Sequence, residues 1–107
     1  MTFETHPAVI DVDLVEIGAF IARDNLMAAE AVLLAIEATF DQLKHQPLSG
    51  VAWRSPVRKL AGMRMLPVQI YPTYLIFHRA NADFVRILYV VHSARDLPTL
   101  FQKDVRE

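Results

Sequence analysis

The chain has 107 residues, 53% of them hydrophobic, with 11 basic and 12 acidic side chains for a net charge of −1, which bounds one domain over residues 1–107. With no cysteine it can hold no disulfide, thiolate metal site or cysteine nucleophile. Met1–Ile10 lacks the basic start and apolar run of a secretory leader, and Ala31–Ile36, the longest apolar run, cannot cross a bilayer, so a cytoplasmic protein with no membrane partner is expected.

Thr2–His6 alternates polar and apolar residues and predicts a short strand whose pairing partner cannot be read from the sequence. Pro7 suits the first turn of a helix, where its missing N–H has no partner anyway. From Ala8 to Arg23, Leu14, Ile17 and Ile21 recur at helical spacing, with Ile10 one turn ahead. Asp24-Asn25 breaks that spacing and can cap the next helix. There Ala29, Val32, Leu33, Ile36, Phe40 and Leu43 form one stripe, while Glu30, Glu37, Asp41 and Lys44 lie mostly off it. Pro47, Ser49 and Gly50 stop this helix, and the short link between the two helices predicts an antiparallel hairpin.

Val51–Gly62 reads as a loop carrying Trp53, Pro56 and the basic pair Arg58-Lys59. Met63–Ile70 reads as a strand whose pairing Pro67 limits, Tyr71-Pro72-Thr73 as a turn, and Tyr74–Arg79 as a strand. After a second turn at Asn81-Ala82-Asp83, Phe84–Val91 reads as a strand ending in an apolar run, as expected where both faces are covered. Ala94–Gln102 predicts a last helical turn interrupted by Pro98. The expected fold is α+β in the order β-α-α-β-β-β, a helical hairpin packed on a small, mostly antiparallel sheet. No internal repeat or low-complexity segment interrupts it.

The small net charge conceals two unequal halves. Residues 1–44 carry eight acids against two bases, and residues 45–107 carry nine bases against four acids. A basic C-terminal half fits an anionic or acidic target, and it fits scattered solvated charges equally well.

Several short stretches, in order, carry a family resemblance. They are Asp13-Leu14-x-x-Ile17, Asp24-Asn25 with Ala28-Ala29, His45-x-Pro47-x-x-Gly50 and Leu60-x-Gly62-Met63-Arg64. They continue with Tyr71-Pro72-x-Tyr74-Leu75-Ile76-Phe77-x-Arg79 and Val90-x-His92-x-x-Arg95-Asp96-Leu97. Taken together these resemble the ParE branch of the ParE/RelE toxin superfamily. The resemblance implies the toxin of a type II toxin–antitoxin, or plasmid stabilisation, system. It implies a ParD-like antitoxin as partner in a hetero-oligomer, DNA gyrase as target, no cofactor, and no sequence-specific DNA binding by the chain alone. The alternative within the superfamily is a RelE-like, ribosome-dependent mRNA endoribonuclease. The chain departs from the pattern at Leu26, where proline is common, and in its slightly acidic charge, which weighs against ribosome binding.

RNA cleavage needs an acid–base group and cations for the crowded phosphate. His92, Arg79 and Arg64 are the candidates if the chain is a nuclease, with Arg64 and Arg79 expected on neighbouring strands where they could converge on one face. The alternative for His92 is a hydrogen bond to the turn ahead of the last helix, and Arg95-Asp96 reads as an internal ion pair. RelE-like enzymes present several lysines and a tyrosine. Here Lys59 stands alone before the last helix, and Tyr89 lies three positions before His92, on the opposite strand face. The constellation is incomplete, which favours gyrase.

Target-binding candidates are therefore Arg58, Lys59, Arg64, Arg79, His92 and Arg95. Antitoxin-binding candidates are Val12, Val15, Ala19 and Phe20, apolar residues of the first helix outside its main stripe. A two-helix layer covers one side of a sheet, so apolar surface should remain for an antitoxin tail to enter as a helix plus an added strand. A fully internal core or a homodimer is the competing reading. His6, His45 and His78 are far apart and lack acidic partners at ligand spacing, so no metal site is expected. No glycine-rich phosphate loop or Gly-x-Ser-x-Gly turn occurs.

Overall fold

The computed structural model describes residues 2–107. Strand β1 (Thr2–Thr5) leads into a helical segment that begins with a π-turn at Val9–Asp13 and continues as α1 (Leu14–Ala22). Helix α2 (Leu26–His45), the two-residue strand β2 (Val51–Ala52) and a single 3-10 turn at Arg58–Leu60 follow. Strands β3 (Arg64–Pro67), β4 (Tyr74–Ala80) and β5 (Phe84–His92) precede helix α3 (Leu97–Lys103). The sheet order is β1-β5-β4-β3-β2, with β1 parallel to β5 and every other pair antiparallel. The α+β expectation and the helical hairpin hold. The loop expected at Val51–Gly62 contributes an extra edge strand.

The first helix does not keep the regular stripe. Leu14, Ile17 and Ile21 pack against the core, but Ile10 stays 51% exposed and Val9 is fully buried in its place. A π-turn holds one residue more than an α-turn. It therefore rotates the preceding residues by about 100° relative to Leu14. Val9 and Asp13 turn inward as a result.

Helix α2 behaves as its stripe predicts. The Asn25 side chain caps it by accepting from the Ala28 N–H at 3.0 Å. Ala29, Val32, Ile36, Phe40 and Leu43 are buried, and Leu33 packs beside them. Gly18 lets α1 close on α2, because a Cβ there would already touch Leu33 at 3.4 Å. Gly50 turns the chain back toward the sheet with φ +88°, and a Cβ would lie only 2.2 Å from the Met65 carbonyl oxygen. Glycine alone fits there.

The sheet has a core on each face. Val32, Ile36 and Phe40 meet Ile76, Ile87 and Val90 on the helical-hairpin side. On the other side Leu60, Met63 and Trp53 from the connecting loop, with Leu97 and Phe101, cover Phe77 and Tyr89. Trp53, Phe77 and Phe101 stack edge-on with centroids 5.0 to 6.4 Å apart. Two cores explain the unbroken apolar run Ile87–Val91. They also correct the expectation that one sheet face would stay uncovered. Pro98 does not interrupt the last helix. It occupies the first turn behind an Asp96 cap, where no N–H is needed.

Candidate functional site

The site begins with a mismatch in strand lengths. β1 pairs only with Phe84–Ile87, and the His6 N–H to Ile87 carbonyl bond (2.8 Å) closes that ladder. β5 continues to His92, paired with β4 but with no strand on its β1 side among the described residues. The Val90 N–H on this open side donates to the Asp13 carboxylate at 3.0 Å, and the Leu88 carbonyl accepts from Arg106 at 3.0 Å. Side chains thus occupy the edge at Leu88 and Val90, and because alternate residues of a strand share a direction, His92 is the next residue whose backbone faces this side.

Asp13 and Arg106 form a buried ion pair at 2.6 and 3.0 Å, which Asp104 extends at 2.7 Å. The Arg106 guanidinium also lies 4.6 Å from the Tyr89 ring centroid, and its backbone N–H donates to the Tyr89 hydroxyl at 3.0 Å. Burial opposes the charge on Arg106, but the hydrogen bonds to Asp13 and Asp104 outweigh it, and its pKa is raised. This cluster ties the C-terminus, β5 and the start of the first helix together. The sequence reading missed it. Asp13 inside an apolar helical stretch was the visible signal, but the partner lies 93 positions away.

Beyond Asp13, a cavity of about 530 Å³ separates α1 from the open end of β5. Glu16, Ile17 and Phe20 line it from the helix, and Tyr74, His92 and Arg95 from the sheet end. The Phe20 side chain is 62% exposed. His92 Nδ1 accepts from the Ala94 N–H at 3.0 Å, and its ring meets Tyr74 edge-on at 5.1 Å. That is the turn-bonding role weighed for His92. The expected Arg95-Asp96 pair is absent among the described residues. Asp96 instead accepts from the Thr99 hydroxyl and N–H, which holds its carboxyl below the usual range.

Phe20, His92 and Arg95 thus meet at one cavity, although they were read as parts of two separate surfaces. Val12, in the π-turn, and Val15 and Ala19 on α1 are exposed outside that cavity. Arg64 and Arg79 do not converge. Arg64 pairs across from His78 and Arg79 across from Arg86, and one step along a strand changes the face. Arg64 donates to the carbonyls of Leu48 (2.9 Å) and Gly50 (3.0 Å), pinning the end of α2. Arg79 donates to the Ala61 and Lys59 carbonyls across the other face. Lys59 is exposed, 3.8 Å from Glu107, and Arg58 is exposed. Tyr89 lies in the core opposite the His92 face, as its spacing predicted. The residues weighed for RNA cleavage are therefore dispersed over both faces.

His78 is fully buried, with its Nε2 3.3 Å from the Pro47 carbonyl. Burial lowers its pKa to about 4, and the neighbouring Arg64 charge acts the same way. His6 Nδ1 accepts from the Ala8 N–H, and His45 Nδ1 bonds the Asp41 carbonyl. Among the described residues no three metal-binding side chains cluster.

The fold is a helical hairpin laid over a mixed five-stranded sheet. It matches a solved chain from the chromosomal ParDE TA system of P. aeruginosa with a TM-score of 0.66 at 17% identity, covering 86% of this chain and 95% of that one. Residues 10–97 match the family model of the ParE toxin of the type II toxin-antitoxin system, parDE. The chain belongs to the ParE toxin family. No curated protein matches it.

Proposed function

We propose that this toxin is held inactive in the cytoplasm by a ParD-like antitoxin and, once free, inhibits DNA gyrase by contact. The observation that carries this reading is the groove beside β5, where the exposed Phe20 ring, the end of β5 that no strand covers on the β1 side, and Arg95 meet. An antitoxin segment with an apolar helical face would cover Val12, Val15, Ala19 and Phe20. An extended continuation would pair with that uncovered end of β5, as strand addition requires. An acidic residue in that continuation would meet Arg95. Such a segment would also cover His92 and Arg95, two target-binding candidates, so neutralisation would follow from occupancy. Arg58, Lys59 and Arg79 lie outside this groove.

Two experiments test the reading. Induction of the chain alone should arrest growth with filamentation and double-strand breaks while mRNA stays intact, and a co-produced antitoxin should restore growth. Ribosome-dependent mRNA cuts that vanish in His92→Ala would overturn the gyrase assignment. Phe20→Glu should change stability by less than about 1 kcal/mol, because the residue is mostly exposed and its ring meets the cavity and the Arg23 guanidinium at 5.1 Å. The same variant should weaken antitoxin binding by roughly tenfold or more, as loss of an aromatic anchor does. Unchanged affinity in a pull-down or titration would remove Phe20 from the interface.

A further inference from the structure

At the far end of the sheet from β1, a second cavity of about 490 Å³ opens beside the edge strand β2. Its lining includes Trp53, Arg54, Ser55, Gly62 and Arg64, and it contains two arginines and no carboxylate. Arg54 is exposed. Arg64 spends one terminal nitrogen on the Leu48 and Gly50 carbonyls, and its Nε is buried without a partner among the described residues. Neither arginine makes an ion pair among the described residues, in contrast to Arg106.

The backbone adds donors to this charge. The N–H groups of Arg54, Ser55 and Gly62 have no internal acceptor among the described residues, while their neighbours Trp53 and Val57 are bonded. Gly62 has φ +83°, and a Cβ built on it would meet nothing within 4 Å, so the space in front of it is open. Backbone amides with no internal acceptor, beside open space, are available to donate to an anion. Guanidinium groups match phosphate oxygens in geometry as well as charge. We propose that the cleft between Arg54, Ser55, Gly62 and Arg64 binds a phosphate group, carried either by a small phosphorylated ligand or by a nucleic-acid backbone. This assignment is independent of the groove beside β5 and of the antitoxin reading.

The molecule supplies its own reporter, because Trp53 is the single tryptophan in the sequence and lines this cleft. Tryptophan fluorescence would be followed during titration with inorganic pyrophosphate and, separately, with a short oligothymidylate. A saturable change is expected, with affinity on the order of tenfold weaker in Arg54→Glu, since a charge-assisted contact turns into a repulsion. Lys103→Glu on α3 alters the net charge equally but lies outside the cleft and should bind as the parent does. Saturation by pyrophosphate alone identifies a small ligand, and saturation by the oligonucleotide alone identifies a polymer backbone. No saturable signal from either probe overturns the site. So does equal weakening in Arg54→Glu and Lys103→Glu, which would mean that bulk charge explains the signal.

Discussion

Two arginines, one against β5 and one on β3, are handled in contrasting ways. Arg106 is buried with two carboxylates, a carbonyl and an aromatic face around it. Arg64 is held by two backbone carbonyls, with no carboxylate and a neutral His78 as its cross-strand neighbour. The positive charge of Arg106 is more than offset by its two carboxylates, whereas carbonyls satisfy the Arg64 donors without cancelling its charge. The Arg106 cluster is thereby structural, at the inner end of the groove beside β5. The Arg64 end carries uncancelled positive charge.

Breaking the Arg106 cluster should have the largest effect. Asp13→Ala removes the bidentate partner of the buried Arg106, leaves it Asp104 alone and frees the Val90 N–H, and should cost about 3 kcal/mol or more in a urea unfolding experiment. A loss below about 1 kcal/mol would mean that solvent already reaches the pair. The next effect is one of pH at the Arg64 end. His78 has a folded pKa near 4, lower than its unfolded value of 6.5, so between these values the unfolded chain binds more protons. Stability should therefore fall as pH drops from about 6.5 toward 4, by up to about 3 kcal/mol in total from this residue. His78→Gln should flatten that slope in unfolding curves measured across the window. Arg64→Met should cost least, about 2 kcal/mol, because it removes two carbonyl bonds without stranding a charge. A cost exceeding that of Asp13→Ala would reverse the comparison.

The contrast also marks where the sequence was readable. The α2 stripe, its Asn25 cap and the β4–β5 hairpin depend on neighbours a few positions apart, so local spacing sufficed. The π-turn at Val9–Asp13 was not legible, since the shift from Ile10 to Val9 is set by the sheet edge that Asp13 must reach. The Asp13–Arg106 pair joins opposite ends of the chain, which no periodicity records. At the groove, Phe20, His92 and Arg95 were each visible as candidates. Their meeting depended on β5 outrunning β1, a difference in strand length that sequence does not fix. Arg64 and Arg79 were legible as strand residues, but the rung that each occupies, and hence its face, follows from register.

The most direct test of the account is a supercoiling assay with purified gyrase, adding the toxin alone and then with its antitoxin. The account predicts loss of supercoiling and accumulation of cleaved DNA with the toxin, both reversed by the antitoxin. Full supercoiling activity in the presence of excess folded toxin would contradict gyrase as the target.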